Sequence, residues 1–229
     1  MDSRVRKAPG LPADVLGVVK AEDRLAVLHG LDAINTAADP DFDRVGALAA
    51  AALQAPIALV TLVDAERQWF KSNIGLDETE TSTGMSFCAH AIAAGDEPLV
   101  VTDATLDPRF SSNPLVTGKH HIRFYAGAPM VVAGARIGTL CVLDRKPHAF
   151  PSQAKLDQLK TLAGLASRLF TLKDATRSGA IAEASLAREE QRLALALDAP
   201  SLAGWARDIR TDHIECDVRL PCLFHRHRP

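Results

Sequence analysis

β-branched and aliphatic runs bunch in the middle of this 229-residue chain, with helical periodicity at both ends. That distribution is the strongest constraint on what the chain can fold into. "IALVTLVD", from Ile57, is continuous and β-branched, the mark of a buried strand. "QWFKSNIG" reads as its return after a turn at Asp64–Arg67, and "PLVVTD" as a further strand. "IRFYAGAPMVV" and "RIGTLCVLD" pair as a hairpin around Ala133–Gly134, with Pro129 marking a bend or bulge. Between the two groups, "SFCAHAIAAG" reads as a short helix ended by Gly95.

Ahead of the strands, Leu25, Leu28, Leu31 and Ile34 fall at helical spacing. A second helix carries Val45, Leu48, Ala49, Ala52 and Leu53, with Asp41 as its cap. Behind the strands, a long helix from Ser152 places Leu156, Leu159, Ala163, Ala166 and Phe170 at the spacing of a coiled-coil seam. The period weakens after Lys173, Ser178–Ala180 interrupts it, and Ile181–Leu197 resumes it. Strands bunched between helices predict an α+β fold whose mostly antiparallel sheet has about five or six strands. Residues 1–20 read as a flexible arm, 21–150 as the core, 151–198 as a helix and coiled-coil-like connector, and 199–229 as a separate, poorly ordered segment.

With 47% hydrophobic and 24% charged residues, the chain can bury a real core. A net charge of −2 gives no reason to expect nucleic acid or an anionic membrane as partner. No apolar run approaches the roughly 20 residues that span a bilayer, and the N-terminus lacks the apolar core of a secretory signal. Cys88, Cys141, Cys216 and Cys222 form no CxxC, the usage of a reducing compartment, so a cytoplasmic address is expected.

"SFCAHAI", "DPRFSSNPLV", "IRFYAGAPM" and "GTLCVLDRKP" occur in the order and spacing of a GAF domain, over residues 24–172. The subtype resembled is that of bacterial sensor histidine kinases and cyclic-di-GMP signalling enzymes. "RLALALDAPSLAGWARDIRTDHIECDVRL" resembles the opening of a PAS domain, which "PCLFHRHRP" does not continue. The chain is therefore expected to be the N-terminal part of a longer signalling protein, cut after the PAS opening. The resemblance implies a GAF fold with a lidded pocket between the sheet and the loop-and-short-helix side. It also implies a regulatory, sensory role: a small ligand or partner acts at the pocket. The first helix and the long C-terminal helix join a parallel homodimer that relays the change to a missing output domain, a histidine kinase being favoured. The chain carries no P-loop, dinucleotide, HExxH, kinase, GGDEF or EAL sequence, so it is not expected to be an enzyme itself. The ligand and any cofactor are left open. The other readings are a purely structural dimerisation block with a collapsed pocket and, behind it, a methionine sulfoxide reductase-type or bilin-binding GAF domain.

Cys88 and His90 stand two residues apart. On a helix that spacing is about 200°, so the two cannot act as a hydrogen-bonded nucleophile pair. Zinc would need further ligands at suitable spacing. Bilin-holding relatives have the cysteine directly followed by histidine, whereas Ala89 intervenes here. The sulfoxide-reducing branch uses several cysteines, and only Cys88 and Cys141 are available. Cys88 thus reads as a small apolar wall residue.

The pocket candidates are Trp69, Phe87, Cys88, Asp103, Arg109, Phe110, Asn113, Arg123, Tyr125, Thr139 and Cys141. Phe110 and Leu115 anchor the loop that covers the pocket. Arg109 and Asn113 either stand at its mouth or only fasten it, Arg109 by pairing with a carboxylate such as Asp103. Strand alternation puts Ile122, Phe124 and Ala126 on one face and Arg123 and Tyr125 on the other, with either face open to the pocket. Thr139 and Cys141 share a face. Trp69 is either core or pocket floor. His120 and His121 read as solvated loop.

Overall fold

The computed structural model describes residues 10–197, 205–207 and 214–216. The chain divides into two compact units, one ending at Asp174 and the other beginning at Ala175. The first unit carries helices α1 (Ala13–Val19), α2 (Glu22–Gly30), α3 (Pro40–Leu53), α4 (Phe87–Ala94) and α5 (Pro114–Thr117). Its strands are β1 (Ile57–Val63), β2 (Arg67–Ile74), β3 (Glu80–Ser82), β4 (Leu99–Val101), β5 (Phe124–Val132) and β6 (Ala135–Asp144). Helix α6 runs from Gln153 to Leu197. In the second unit, β7 (Trp205–Arg207) and β8 (Ile214–Cys216) pair antiparallel. The rest of the expectation for residues 199–229, and residues 1–9 of the expected arm, lie outside the described residues. No described helix is long and apolar enough to cross a membrane.

The six strands of the first unit form one antiparallel sheet in the order β3-β2-β1-β6-β5-β4. This is the α+β architecture the sequence predicts. β1 lies between β2 and β6 and is buried along its whole length, which is why its sequence shows no polar alternation. Ala58, Val60 and Leu62 enter one core, and Ile57, Leu59 and Val63 enter the other. The β5–β6 hairpin turns through Ala133 and Gly134 at φ of 47° and 79°, the left-handed pair that a two-residue turn of this twist requires.

One sheet face is closed by α3 and α6. Phe42, Val45, Ala49 and Leu53 of α3 meet Leu159, Ala163, Ala166 and Phe170 of α6 over Trp69, Phe124 and Met130. The Phe42 and Phe170 rings are 4.4 Å apart. The apolar line read as a coiled-coil seam is therefore spent on the chain's own sheet. Each fully buried Leu or Phe there contributes about 1.5–3 kcal/mol.

Other sequence expectations are corrected locally. The arm contains α1, whose Val15 and Val19 are buried, and Arg24 fastens it. The buried Arg24 guanidinium donates to Val19 O at 3.0 Å and to Val63 O at 2.8 Å, tying the end of α1 to β1. Asp39, not Asp41, caps α3: its carboxylate accepts from Asp41 N at 3.0 Å, and Pro40 occupies the first turn. Leu48 is exposed rather than on the buried face. α6 passes through Gly179 unbroken, because one glycine costs only about 1 kcal/mol in a helix. Ile122 precedes β5 and lies in the core with Tyr125, so it does not share the face of Phe124.

Candidate functional site

The second sheet face carries the site. Ser86 caps α4, its Oγ accepting from Ala89 N at 2.9 Å while its hydroxyl donates to Gln68 of β2. That cap sets α4 across the sheet. Phe87 then stacks between Phe110, 4.1 Å away, and Tyr125, 5.3 Å away. Cys88 points onto the central strands, its Sγ 3.8 Å from Cys141 Sγ on β6. Cys141 Sγ is in turn 3.9 Å from Thr61 Oγ1 on β1.

Beside this sulfur pair lies a narrow, partly open cavity of about 30 Å³. Its walls include Leu59, Phe70, Phe87, Cys88, Tyr125 and Cys141, with Leu76, Leu115, Ile122 and Leu143 completing the apolar lining. Gln68, Glu78, Thr81 and His120 give it a polar side. His120 Nε2 is 3.4 Å from Glu78 Oε1. Lys119 also pairs with Glu78 and, more than burial opposes it, holds that carboxyl below its usual range.

Two hydroxyls, Tyr125 Oη and Thr139 Oγ1, are buried there without a hydrogen-bond partner among the described residues. Both stand near enough to Cys88 to favour its thiolate. Burial pushes the Cys88 thiol up. Hydrogen bonding to its ionised form from Cys141, Thr139, Tyr125 and Thr61 outweighs this and brings it from 9.0 down to about 7. Burial, with the adjoining Cys88, pushes Cys141 well up. Burial likewise raises Tyr125, and a charge on Cys88 adds to it. Among the described residues no three His, Cys, Asp or Glu side chains come together as a metal site.

Of the sequence candidates, Phe87, Cys88, Tyr125 and Cys141 line the cavity. Phe110 backs Phe87, and Thr139 stands on β6 two residues from Cys141, facing the same cluster. Asn113 is buried and structural: it caps α5 through Leu115 N at 2.9 Å and donates to Met85 O at 3.0 Å. Arg109 pairs with Asp107 rather than Asp103, at 2.9 and 2.6 Å, and lies over Phe110. Asp103 closes its own turn by accepting from Thr105. Arg123 donates to Val116 O at 2.9 Å and Ile122 O at 3.0 Å, fastening the covering loop. Trp69 faces the α3–α6 core, so the pocket side of β2 belongs to its neighbours Gln68 and Phe70. His90 packs edge-on against Phe110, away from the sulfur pair, and burial followed by Arg109 lowers it.

The residues that sequence reading missed are chiefly Gln68, Phe70, Glu78 and His120. Parity along β2 could have exposed the first two once Trp69 was set in the core. His120, read as solvated loop, keeps only 15% of its side chain exposed.

Known proteins share this fold. Residues 32–169 match the GAF domain. A cyclic di-GMP phosphodiesterase of Pseudomonas aeruginosa is 43% identical over 152 residues. The match takes in 66% of this chain but 26% of that protein, so the chain spans about a quarter of its relative. Among solved structures, the GAF domain of an Acinetobacter phosphoenolpyruvate-protein phosphotransferase superposes with a TM-score of 0.50 at 19% identity, covering 68% of this chain and 96% of that one. The free methionine-R-sulfoxide reductase of Neisseria meningitidis does so with 0.50 at 18% identity, covering 74% and 98%. At that identity the superpositions speak to fold alone. With more than half of its length matched by the family, the chain belongs to the GAF domain family.

Proposed function

We propose that this chain is the regulatory, sensory module of a longer cytoplasmic signalling protein. The observation that carries the reading is a cavity beneath α4 lined by two thiols and by Tyr125, whose hydroxyl, like that of nearby Thr139, is buried without a partner among the described residues. Buried polar groups without partners cost about 1–3 kcal/mol each, a cost that a ligand at the cavity removes. The cavity holds something the size of one or two waters as it stands. A larger ligand enters only if the covering segment, residues 103–118, moves outward with α4. Such a movement alters the sheet from one face while α6 rests on the other.

The relay acts in a homodimer. Because Leu159, Ala163, Ala166 and Phe170 are committed to the sheet, the dimer uses a different line on α6. Leu165, Leu172, Leu186 and Leu193 recur at multiples of seven residues and are all exposed, the period of a coiled-coil seam. Gly179 occupies the one vacant place in that line and weakens it, as suits an element that shifts rather than locks. The groove between Leu48 of α3 and Leu162 of α6 continues the apolar surface in the first unit.

The similarity to the Pseudomonas phosphodiesterase supports a cyclic-di-GMP enzyme as the output; the histidine kinase favoured by sequence is the alternative. Native mass spectrometry of the purified chain, beside its denatured mass, tests the module reading. A dimer with added non-covalent mass is expected. A monomer defeats the relay, and a dimer that never gains mass with any small-molecule library favours a structural block.

A further inference from the structure

We propose that Cys88 and Cys141 form a two-electron redox site, oxidised by a small peroxide to an intramolecular disulfide. The inference rests on the pocket being the input site and names the chemistry that acts there. Its basis is geometric. The sulfurs are 3.8 Å apart, on two different elements, and both line the cavity. A free core cysteine normally sits among apolar groups. Here Thr61, Tyr125 and Thr139 surround the pair with hydroxyls. The cavity, about 30 Å³, admits a molecule of two heavy atoms and excludes bulky thiols such as glutathione.

Cys88 is the attacking sulfur because it stands in the first turn of α4, where the helix N-terminus favours a thiolate, whereas Cys141 lies in the middle of β6. Its sulfur displaces one oxygen of hydrogen peroxide. The S–O bond forms, the O–O bond breaks, and the leaving hydroxide takes the Cys141 proton to become water. Cys141 sulfur then attacks the Cys88 sulfenic acid. The S–S bond forms, the S–O bond breaks, and the second hydroxide is protonated from solvent. Two thiols and one peroxide yield a disulfide and two waters.

The step has a structural consequence. An S–S bond is roughly 2 Å long, so the sulfurs must close by nearly half their separation. β6 is held between β1 and β5, whereas α4 lies on the sheet as a single short helix of eight residues. The closure therefore draws α4 toward the sheet and compresses the cavity.

The test uses the full chain carrying Cys216→Ser and Cys222→Ser, so that only the buried pair can report. After hydrogen peroxide, denaturation and alkylation, intact mass and peptide mapping should show loss of two hydrogen atoms and a Cys88–Cys141 cross-link. Dithiothreitol should restore both alkylation sites. Cys141→Ser should leave a sulfenic acid on Cys88 that dimedone captures, and Cys88→Ser should leave Cys141 unreacted. Two free thiols after peroxide in the parent chain would overturn the proposal, and so would sulfenic acid on Cys141 in Cys88→Ser. The parent measurement needs no variant of the pair, so misfolding cannot mask it. If the cross-link forms while amide exchange along α6 stays unchanged, the redox site stands and the input-site reading fails.

Discussion

Gly127 lies on β5 opposite Cys141, and the Tyr125 ring runs forward along the strand over it. A Cβ at position 127 would stand 2.5 Å from Tyr125 Cζ and 3.0 Å from Cε1, and closer still to the hydroxyl. Ordinary carbon contacts are about 3.5–4.0 Å, so the overlap is about 1 Å. Tyr125 cannot swing aside: it is fully buried and stacked on Phe87. Gly127→Ala should therefore destabilise by about 1–3 kcal/mol, the range for overpacking a filled core. For a chain of this size each kcal/mol lowers Tm by about 2–4 °C. The clash has one source, so removing the ring should remove the penalty. In a Tyr125→Leu background the same substitution should be neutral or slightly stabilising, since Ala loses less chain entropy than Gly. Urea unfolding of the four proteins gives a double-mutant cycle, and the coupling should exceed the 0.3–0.5 kcal/mol or so within which independent sites add. Equal costs of Gly127→Ala in both backgrounds would refute the placement of the Tyr125 ring, and with it the shape of the pocket.

Asn113→Ala removes the α5 cap and the amide bond to Met85 O, and should cost about 1–3 kcal/mol in urea unfolding. Asn113→Asp keeps the cap acceptor and should recover part of that loss. Arg24→Met strips the guanidinium from the Val19 and Val63 carbonyls; amide exchange across α1 should accelerate, while that of α3 should not. Cys88 has a thiol held below its ordinary value, so its stabilising contribution is complete above 9.0 and is lost as pH falls through about 7. Reduced protein should therefore gain stability over Cys88→Ser as pH rises across that window, measured by urea midpoints. Leu186→Asp should dissociate the dimer in light-scattering measurements if the exposed leucine line is the seam.

Much of the fold was legible because its strands are signalled by composition and its hairpin by a turn. β1 is buried on both faces, so its residues could be uniformly apolar without ambiguity. The function of the α6 seam was not legible. A three-and-four spacing records that one helix face is buried, not whether it is buried by a partner or by the chain's own sheet. Facing parity failed for the same kind of reason. Trp69 and Phe70 are neighbours of similar character, and nothing local tells which faces α6. Within the site, Cys88 and Cys141 are separated by 53 residues. Their meeting depends on where α4 crosses the sheet, which the Ser86 cap and the Gln68 contact determine. Arg109 and Asp107, by contrast, could have been paired from sequence, because the loop turns tightly through Asp107–Pro108.

The account's central claim is that a change beneath α4 reaches α6 through the sheet. It can be tested without knowing the natural ligand. A methylthiolating reagent, applied to the chain carrying Cys141→Ala, Cys216→Ser and Cys222→Ser, places one small group on Cys88 and fills the cavity. Amide exchange is then followed along residues 153–174 of α6, which lie on the other face of the sheet. The account expects exchange in α6 to change upon modification, in the dimer, with the β1–β6 pairing protected as before. Modification confirmed by mass, with α6 exchange unaltered, would contradict it.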